Sequence, residues 1–267
     1  MISPIGERIN GMFKDIRIAI KEKNAAVIQD YARRQTEAGA KFLDINVGTA
    51  AEDQCAVMKW LVEATQDAVK TALCIDSQKL DVVKDGLKVA KNEVLINSSK
   101  ADPEALDIYM PLAKDHNASL ICLTITKAGV PQDVDTRVAI SASILEKALE
   151  HDFEIPKIFI DPILLPINCD QKQAVLMTQV YQQIKIMADP PPRITVGLSN
   201  FSQGTRERSL LNRTILTMAM AAGLDAPVMD VLDEELMNTA LATDVVLNNI
   251  IYSDSFLKAG RQKLAGT

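Results

Sequence analysis

The chain is short of histidine, of aromatic side chains and of long apolar runs, and each shortage excludes something. Only two of its 267 residues are histidines, His116 and His151. Both fall at predicted helix ends, away from the strand termini. A Ser-His-Asp triad or a His-based metal site is therefore not expected. Aromatic residues make up 4% of the chain, too few for the stacking platforms that bind single-stranded nucleic acid. A formal net charge of −6 argues against a general binder of phosphate backbones, so no nucleic-acid partner is expected. The four cysteines, Cys55, Cys74, Cys122 and Cys169, form no C-x-x-C pair, and read as the reduced thiols of a cytoplasmic protein. No segment reaches the roughly 18 uninterrupted apolar residues of a membrane span, and the richest, residues 215–229, is broken by Asp225. The first ten residues carry no long apolar run, which predicts no secretory leader.

What remains is an ordinary globular composition, 48% hydrophobic and 24% charged. A chain of this length can bury roughly 75% of the surface its unfolded form exposes. Apolar strand-like runs alternate with helix-forming stretches. Strands are predicted at residues 2–5, 42–46, 71–76, 94–97, 119–124, 156–161, 194–198 and 227–230, with residues 6–11 as a polar loop. Helices are predicted between them: 25–38, 51–70, 80–90, 103–117, 136–149, 173–187, 209–222 and 234–249. Gly39 and Gly223 are C-caps, and Pro103 stands in a first turn. Residues 253–267 read as a polar tail, helical at first. The strands are apolar on both faces, as when helices cover a parallel sheet. Eight such units predict an α/β fold, a (β/α)8 barrel, as one domain over residues 1–267. A doubly wound open sheet is the alternative.

In a barrel the C-terminal ends of the strands meet at one mouth. They carry Asn46, Asp76, Asn97, Thr124, Asp161, Asn200 and Asp230. Asp44 and Asn46 share a face of their strand by the period of two. Any one of these residues alone reads equally well as a cap or turn residue. Together they suit a ligand rich in N–H donors, because an ionised Asp only accepts hydrogen bonds and can take two in parallel. A 2-amino-4-oxo-pyrimidine ring has that pattern. The competing reading, a divalent ion on Asp44, Asp76 and Asp161, lacks the phosphate loop that usually accompanies magnesium. The stretch Thr195-Val-Gly-Leu-Ser-Asn-Phe-Ser-Gln203 reads as a strand leading into a binding loop. Gly197 there permits close approach to the backbone. Ser199 and Asn200 stand at the strand end, and Arg206 and Arg208 form a basic turn.

Taken together, Gly6-Glu-Arg-Ile-Asn-Gly-Met-Phe13, Leu43-Asp-Ile-Asn-Val-Gly48, Cys74-Ile-Asp-Ser77, Ile96-Asn-Ser98, Ile160-Asp-Pro162, Gly197-Leu-Ser-Asn200 with Ser202-Gln203, and Leu211-Asn-Arg-Thr214 resemble the methyltetrahydrofolate:corrinoid protein methyltransferases. These lie within the pterin-binding barrel superfamily, and the resemblance runs over nearly the whole chain. It implies a homodimeric (β/α)8 barrel that moves a methyl group between N5 of tetrahydrofolate and the cobalt of a corrinoid protein. By that resemblance Asp76, Asn97 and Asp161 hold the pterin. Asn200 reaches N5 and is the catalytic residue. Asn46, Gly197, Ser199, Gln203 and Arg208 complete the folate site. Thr126 and the loop at 201–209 differ from the acetogenic members, which inclines the direction toward methylcorrinoid to tetrahydrofolate. The cobalamin-binding pattern D-x-H-x-x-G is absent around both histidines, so the cobalamin is expected on a partner corrinoid protein. Dihydropteroate synthase shares the barrel, but it should place a lysine where this chain has Gly197-Leu-Ser-Asn-Phe201. Lys127 is poorly placed for a barrel aldolase. A non-catalytic folate-binding subunit is a further alternative, against which Asn200 argues.

Overall fold

In a computed structural model, residues 1–49 and 51–253 are described. The predicted tail at 253–267 lies, apart from Ser253, outside them. Eight strands, all parallel, close into a barrel in sequence order. They are β1 (Ile5–Asn10), β2 (Phe42–Asn46), β3 (Ala72–Asp76), β4 (Val94–Lys100), β5 (Ser119–Leu123), β6 (Ile158–Asp161), β7 (Arg193–Gly197) and β8 (Ala226–Met229). The helices are α1 (Lys14–Glu22), α2 (Ala25–Glu37), α3 (Gln54–Ala68), α4 (Leu80–Val89), α5 (Pro103–Asp115), α6 (Val134–Glu150), α7 (Gln173–Ile184), α8 (Leu198–Phe201), α9 (Arg208–Ala222) and α10 (Glu234–Val246). The closed barrel, and not the open sheet, is the architecture.

Helix starts are written locally. Asp53, Asp133 and Asp233 each accept a hydrogen bond from the backbone N–H three residues on, at 2.9, 2.8 and 3.0 Å, and so cap α3, α6 and α10. Pro103 opens α5, where its missing N–H costs nothing. Among the described residues no helix is long and apolar enough to cross a membrane.

Strand residues alternate between two apolar layers. Ile9, Leu43, Ile45, Leu73, Ile75 and Ile96 face the helices. Ile5, Phe42, Cys74, Leu95, Ile121 and Phe159 pack against one another inside the barrel. Phe42 and Phe159 meet edge to face there, centroids 6.0 Å apart. The Arg193 guanidinium lies 5.2 Å from the centre of the Phe159 ring at the start of β7. One step of two residues along each strand carries this apolar floor to the mouth. Ile5 leads to Glu7, Cys74 to Asp76, Leu95 to Asn97 and Phe159 to Asp161. The sheet geometry thus sets a ring of polar side chains upon a dry base.

Two expectations fail at the N-terminus. Residues 6–10 are not a loop but most of β1, and a helix, α1, follows where none is predicted. Gly6-Glu-Arg interrupts the apolar alternation and so reads as a turn. The pairing with β2 accommodates it with a register shift between Gly6 and Ile9. Buried Ile5 and Ile9 anchor the strand on either side.

Candidate functional site

The register of β2, β3 and β4 places Asn46 beside Asp76 and Asp76 beside Asn97. Their hydrogen bonds decide which atoms remain for a ligand. Asn46 donates from Nδ2 to Asp76 Oδ2 at 2.6 Å and accepts on Oδ1 from the Gly48 N–H at 2.7 Å. Its amide is engaged at both ends, so Asn46 braces the site. Asn97 donates from Nδ2 to Asp44 Oδ1 at 3.2 Å, which leaves its Oδ1 as an acceptor. Asp44 is buried and lies one residue pair deeper than Asn46. Asp161, at the end of β6, accepts from the Ile163 N–H at 2.8 Å with Oδ1. The remaining carboxylate oxygens of Asp76 and Asp161 and the Asn97 Oδ1 are all acceptors. This part of the mouth is complementary to a flat group that presents N–H donors.

These carboxylates sit in a poor solvent. Burial pushes Asp161 up to about 7, against the lowering effects of the Ile163 N–H and of Arg137. Burial likewise raises Asp76 to about 6, with the Asn46 amide opposing it. Asp44 is raised well above the usual carboxylate range, by burial first and by the Asp76 charge second. The cause is common to all three: the apolar barrel floor withholds the water that would solvate an anion. An N–H donor arriving from a ligand would replace that solvation.

The other half of the site differs from the sequence reading. Strand β7 stops at Gly197, and Ser199 and Asn200 belong to the helical turn α8, not to a strand end. Arg208 stabilises this turn from the start of α9. Its Nε donates to Ser202 Oγ and its Nη2 to the Ser199 carbonyl, both at 3.2 Å. Asn200 is exposed. Its side chain lies across Gly197 so closely that a Cβ built there would stand 2.6 Å from Asn200 Nδ2. Glycine at 197 thus leaves the space in which the amide of residue 200 lies. Gln203 is exposed at the rim, its N–H donating to the Asn200 carbonyl at 3.1 Å. The predicted site residues therefore form two groups: Asn46, Asp76, Asn97 and Asp161 around the mouth, and Gly197, Ser199, Asn200, Gln203 and Arg208 on or against one turn.

One residue has no role in the sequence reading. Glu7, on β1, accepts from Ser199 Oγ at 2.9 and 3.1 Å on its two carboxylate oxygens. Burial raises it to about 7, with the Ser199 hydrogen bond lowering it and the Asp230 charge raising it. Through Ser199 it is tied to the residue next to Asn200. The signal is there in the spacing: Glu7 follows Ile5 by two, so a strand through residues 5–10 aims both inward. Among the described residues no group of three His, Cys, Asp or Glu side chains is placed to hold a metal ion. The cluster of Asp44, Asp76 and Asp161 as a cation site thus finds no support.

Comparison with known proteins follows the same lines. The family model for pterin binding enzymes matches residues 14–229. A methylcorrinoid:tetrahydrofolate methyltransferase of Eubacterium limosum is 33% identical over 264 residues, 98% of this chain and 97% of that protein. A methionine synthase of Mycobacterium leprae is 27% identical over 239 residues, covering 84% of this chain but 20% of its own length. Among solved structures, a dihydropteroate synthase of Yersinia pestis superposes with a TM-score of 0.67 at 15% identity, over 92% of this chain and 94% of that one. A dihydropteroate synthase of Thermus thermophilus gives 0.62 at 18% identity, over 94% of each chain. At such identities the structural likeness speaks for the fold alone.

Proposed function

Because the chain belongs to the pterin binding enzyme family, we propose that it is a methyltransferase acting between N5 of tetrahydrofolate and the cobalt of a corrinoid protein, running from methylcorrinoid to tetrahydrofolate. The observation that carries the reading is the acceptor set of Asp76, Asn97 Oδ1 and Asp161 at the barrel mouth. It matches the ring N–H and amino groups of a reduced pterin. The near full-length similarity to a methylcorrinoid:tetrahydrofolate methyltransferase supports both the reaction and its direction. Residues 1–267 are taken as one domain. The cobalamin belongs to a partner corrinoid protein, and a homodimer is expected.

In this reading the pterin lies against Asp76, Asn97 and Asp161, with N5 toward α8. Tetrahydrofolate provides the N5 lone pair that forms the new N–C bond. The methylated corrinoid supplies the methyl group as an electrophile and keeps the bonding pair at cobalt. Asn200 offers a side-chain amide to N5 and holds it in line for displacement. Preorganised polar groups and fixed orientation supply most of the rate in such a step. N5 must also lose its proton as the methyl arrives. Glu7, raised to about 7 by burial and linked to the Asn200 turn through Ser199, suits a group that takes that proton near neutral pH. The same carboxyl would return the proton when the reaction runs backward. Gln203 and Arg208, both exposed beside the α8 turn, are the groups offered to the glutamate tail of the folate.

The direct test mixes the purified protein with tetrahydrofolate and a methylated corrinoid and follows the cobalt absorbance, then repeats the experiment from methyltetrahydrofolate and reduced corrinoid. Transfer in either direction supports the assignment, and the faster direction at equal saturation gives its sense. Tight folate binding with no cobalt change in either direction would instead mark a binding subunit. In single-turnover work, Asn200→Ala should slow transfer by about 100-fold, comparable with loss of one preorganised donor. A binding defect alone, with transfer intact, would remove Asn200 from the chemistry.

A further inference from the structure

The largest fully buried side chain in the barrel wall is a charged one. Arg137, on α6, is 0% exposed. Its Nε donates to the Pro131 carbonyl at 3.1 Å and its Nη2 to Gln173 Oε1 at 2.6 Å. Both partners are neutral oxygens, and Nη1 is buried without a partner among the described residues. Among the described residues Arg137 forms no ion pair with a carboxylate. A buried guanidinium of this kind carries the desolvation cost of any poorly paired buried ion. Packing alone would be served better by a neutral side chain of similar volume. The charge therefore calls for a reason.

The neighbourhood supplies one. Arg137 lies in the first turn of α6 and bonds to Gln173 in the first turn of α7, at the barrel end where β6, which lies between those two helices in the chain, ends on Asp161. The Arg137 charge lowers that carboxyl against its burial. Tyr181, on α7, is also 0% exposed, its hydroxyl without a partner among the described residues, and it lies within electrostatic reach of both Arg137 and Asp161. Thr124 donates its backbone N–H to the Asp161 carbonyl at 2.9 Å, and its own buried hydroxyl likewise has no partner among the described residues. These buried polar atoms of Arg137, Tyr181 and Thr124 accompany Asp161, which, unlike Asp76, accepts no side-chain hydrogen bond among the described residues. Asp133 and Asp170, from the two loops flanking α6 and α7, complete the charged groups around Arg137.

We propose that Arg137 is a positioning residue for the folate site: anchored by Pro131 and Gln173 between the first turns of the two helices that flank β6, its buried charge favours the ionised, acceptor-only form of Asp161 as the partner of the pterin. The inference rests on the folate reading for its purpose but not for its measurement. Tyr181 has the secondary role of a neutral hydroxyl beside the same carboxylate. Folate affinity should then depend on pH through Asp161, falling as the pH drops and the carboxyl takes a proton.

The test titrates the Asp161 carboxyl carbon by NMR in the free protein, in wild type, Arg137→Met and Arg137→Lys, and measures tetrahydrofolate affinity for each between pH 5.5 and 9. Arg137→Met should raise the Asp161 midpoint by about one unit, from about 7, so that the ionised fraction and with it the affinity at pH 7 fall about 5-fold and recover toward wild type at pH 9. Arg137→Lys keeps the charge and should keep the midpoint, even where the melting temperature falls. A folded Arg137→Met protein with an unmoved midpoint, or one that loses affinity equally at every pH, overturns the proposal. If Arg137→Met does not fold, a raised midpoint in Arg137→Lys overturns it and an unmoved one supports it. Wild-type protein that titrates as described yet binds no folate would instead refute the folate reading and leave the Arg137–Asp161 coupling standing.

Discussion

Replacing Gly197 by alanine should separate catalysis from binding and from stability. The backbone at 197 has φ −71° and ψ 89°, a conformation open to any L-residue, so alanine introduces no backbone strain there. The new Cβ would stand 2.6 Å from Asn200 Nδ2 and 3.4 Å from its Cγ. Ordinary contact begins near 3.4 Å, so the amide must move about 0.8 Å, or the side chain must change rotamer. An alanine that fits its backbone stabilises by about 0.4–1 kcal/mol through the unfolded chain. A displaced rotamer costs about 0.5–1.5 kcal/mol. These nearly cancel, and the melting temperature should stay close to wild type. Transfer should not survive so well, since a misplacement of about 1 Å can cost roughly 100-fold in rate. Single-turnover mixing with a methylated corrinoid is expected to show a slowing of about 10- to 100-fold, with tetrahydrofolate affinity changed less than about threefold, because Asp76, Asn97 and Asp161 are untouched. The double variant with Asn200→Ala should be no slower than Asn200→Ala alone, as both act through one group. Wild-type transfer by a folded Gly197→Ala protein would refute the placement of Asn200, its role, or both.

Asp161→Asn replaces an acceptor by an amide that also donates; calorimetry should find tetrahydrofolate affinity reduced by roughly 1–3 kcal/mol, and unchanged affinity would remove Asp161 from the pterin contact. Glu7→Gln should cut single-turnover transfer and remove a step near pH 7 from its pH profile; a profile identical to wild type would exclude Glu7 as the proton acceptor. The same variant tests linkage. Glu7 is raised from 4.5 to about 7 in the folded chain, so between those values the native state holds more protons than the unfolded one and stability falls as pH rises. Glu7→Gln should therefore gain on the order of 1 kcal/mol relative to wild type at pH 8 and little at pH 4.5, read from melting temperatures. Gly48 has φ +73°, and a Cβ there would lie 2.7 Å from the Gly11 carbonyl carbon. Gly48→Ala should thus destabilise by about 1–3 kcal/mol and weaken folate binding through Asn46, whose Oδ1 is fixed by the Gly48 N–H; a wild-type melting temperature would contradict the tight crossing of the two loops.

Most of the barrel is legible from strands whose apolar runs end on an amide or acid. Strands β2, β3 and β4 start or end within a residue or so of their predicted bounds, except that β4 runs on to Lys100. Asp76, Asn97 and Asp161 are legible for the same reason, since a polar residue ending a two-sided apolar run has few places to go in a parallel barrel. Strand β1 is not legible, because Gly6-Glu-Arg has the composition of a turn. It is held as a strand by pairing with β2 and β8, which no local pattern announces. Glu7 is lost with it. The turn α8 is missed for another reason. Four residues are too few to show a helical period, and Arg208, which braces the turn, lies nine residues from the Ser199 carbonyl it binds. Arg137 hides more fully, for a lone arginine within a predicted amphipathic helix reads as a solvated charge.

The two halves of the mouth meet different demands, and the difference explains why their residues differ in kind. A ring that is only held needs acceptors with fixed geometry, and these come from the ends of β3, β4 and β6, each locked by a partner: Asn46 on Asp76, Asp44 on Asn97, the Ile163 N–H on Asp161. A nitrogen that gains a methyl and loses a proton needs groups whose state can change. Those come from the junction of β1 with α8, where Asn200 is exposed, Ser199 hydrogen-bonds Glu7, and Glu7 titrates near neutrality. The same apolar floor serves both. It strengthens the acceptors by excluding water, and it lifts the Glu7 carboxyl, the proposed proton acceptor, to about 7. The cost is a mouth whose carboxylates oppose folding at neutral pH. In the proposed function, a folate that brings N–H donors to Asp76 and Asp161 would remove part of that cost on binding, and affinity for the pterin and the instability of the free site would then have one physical source.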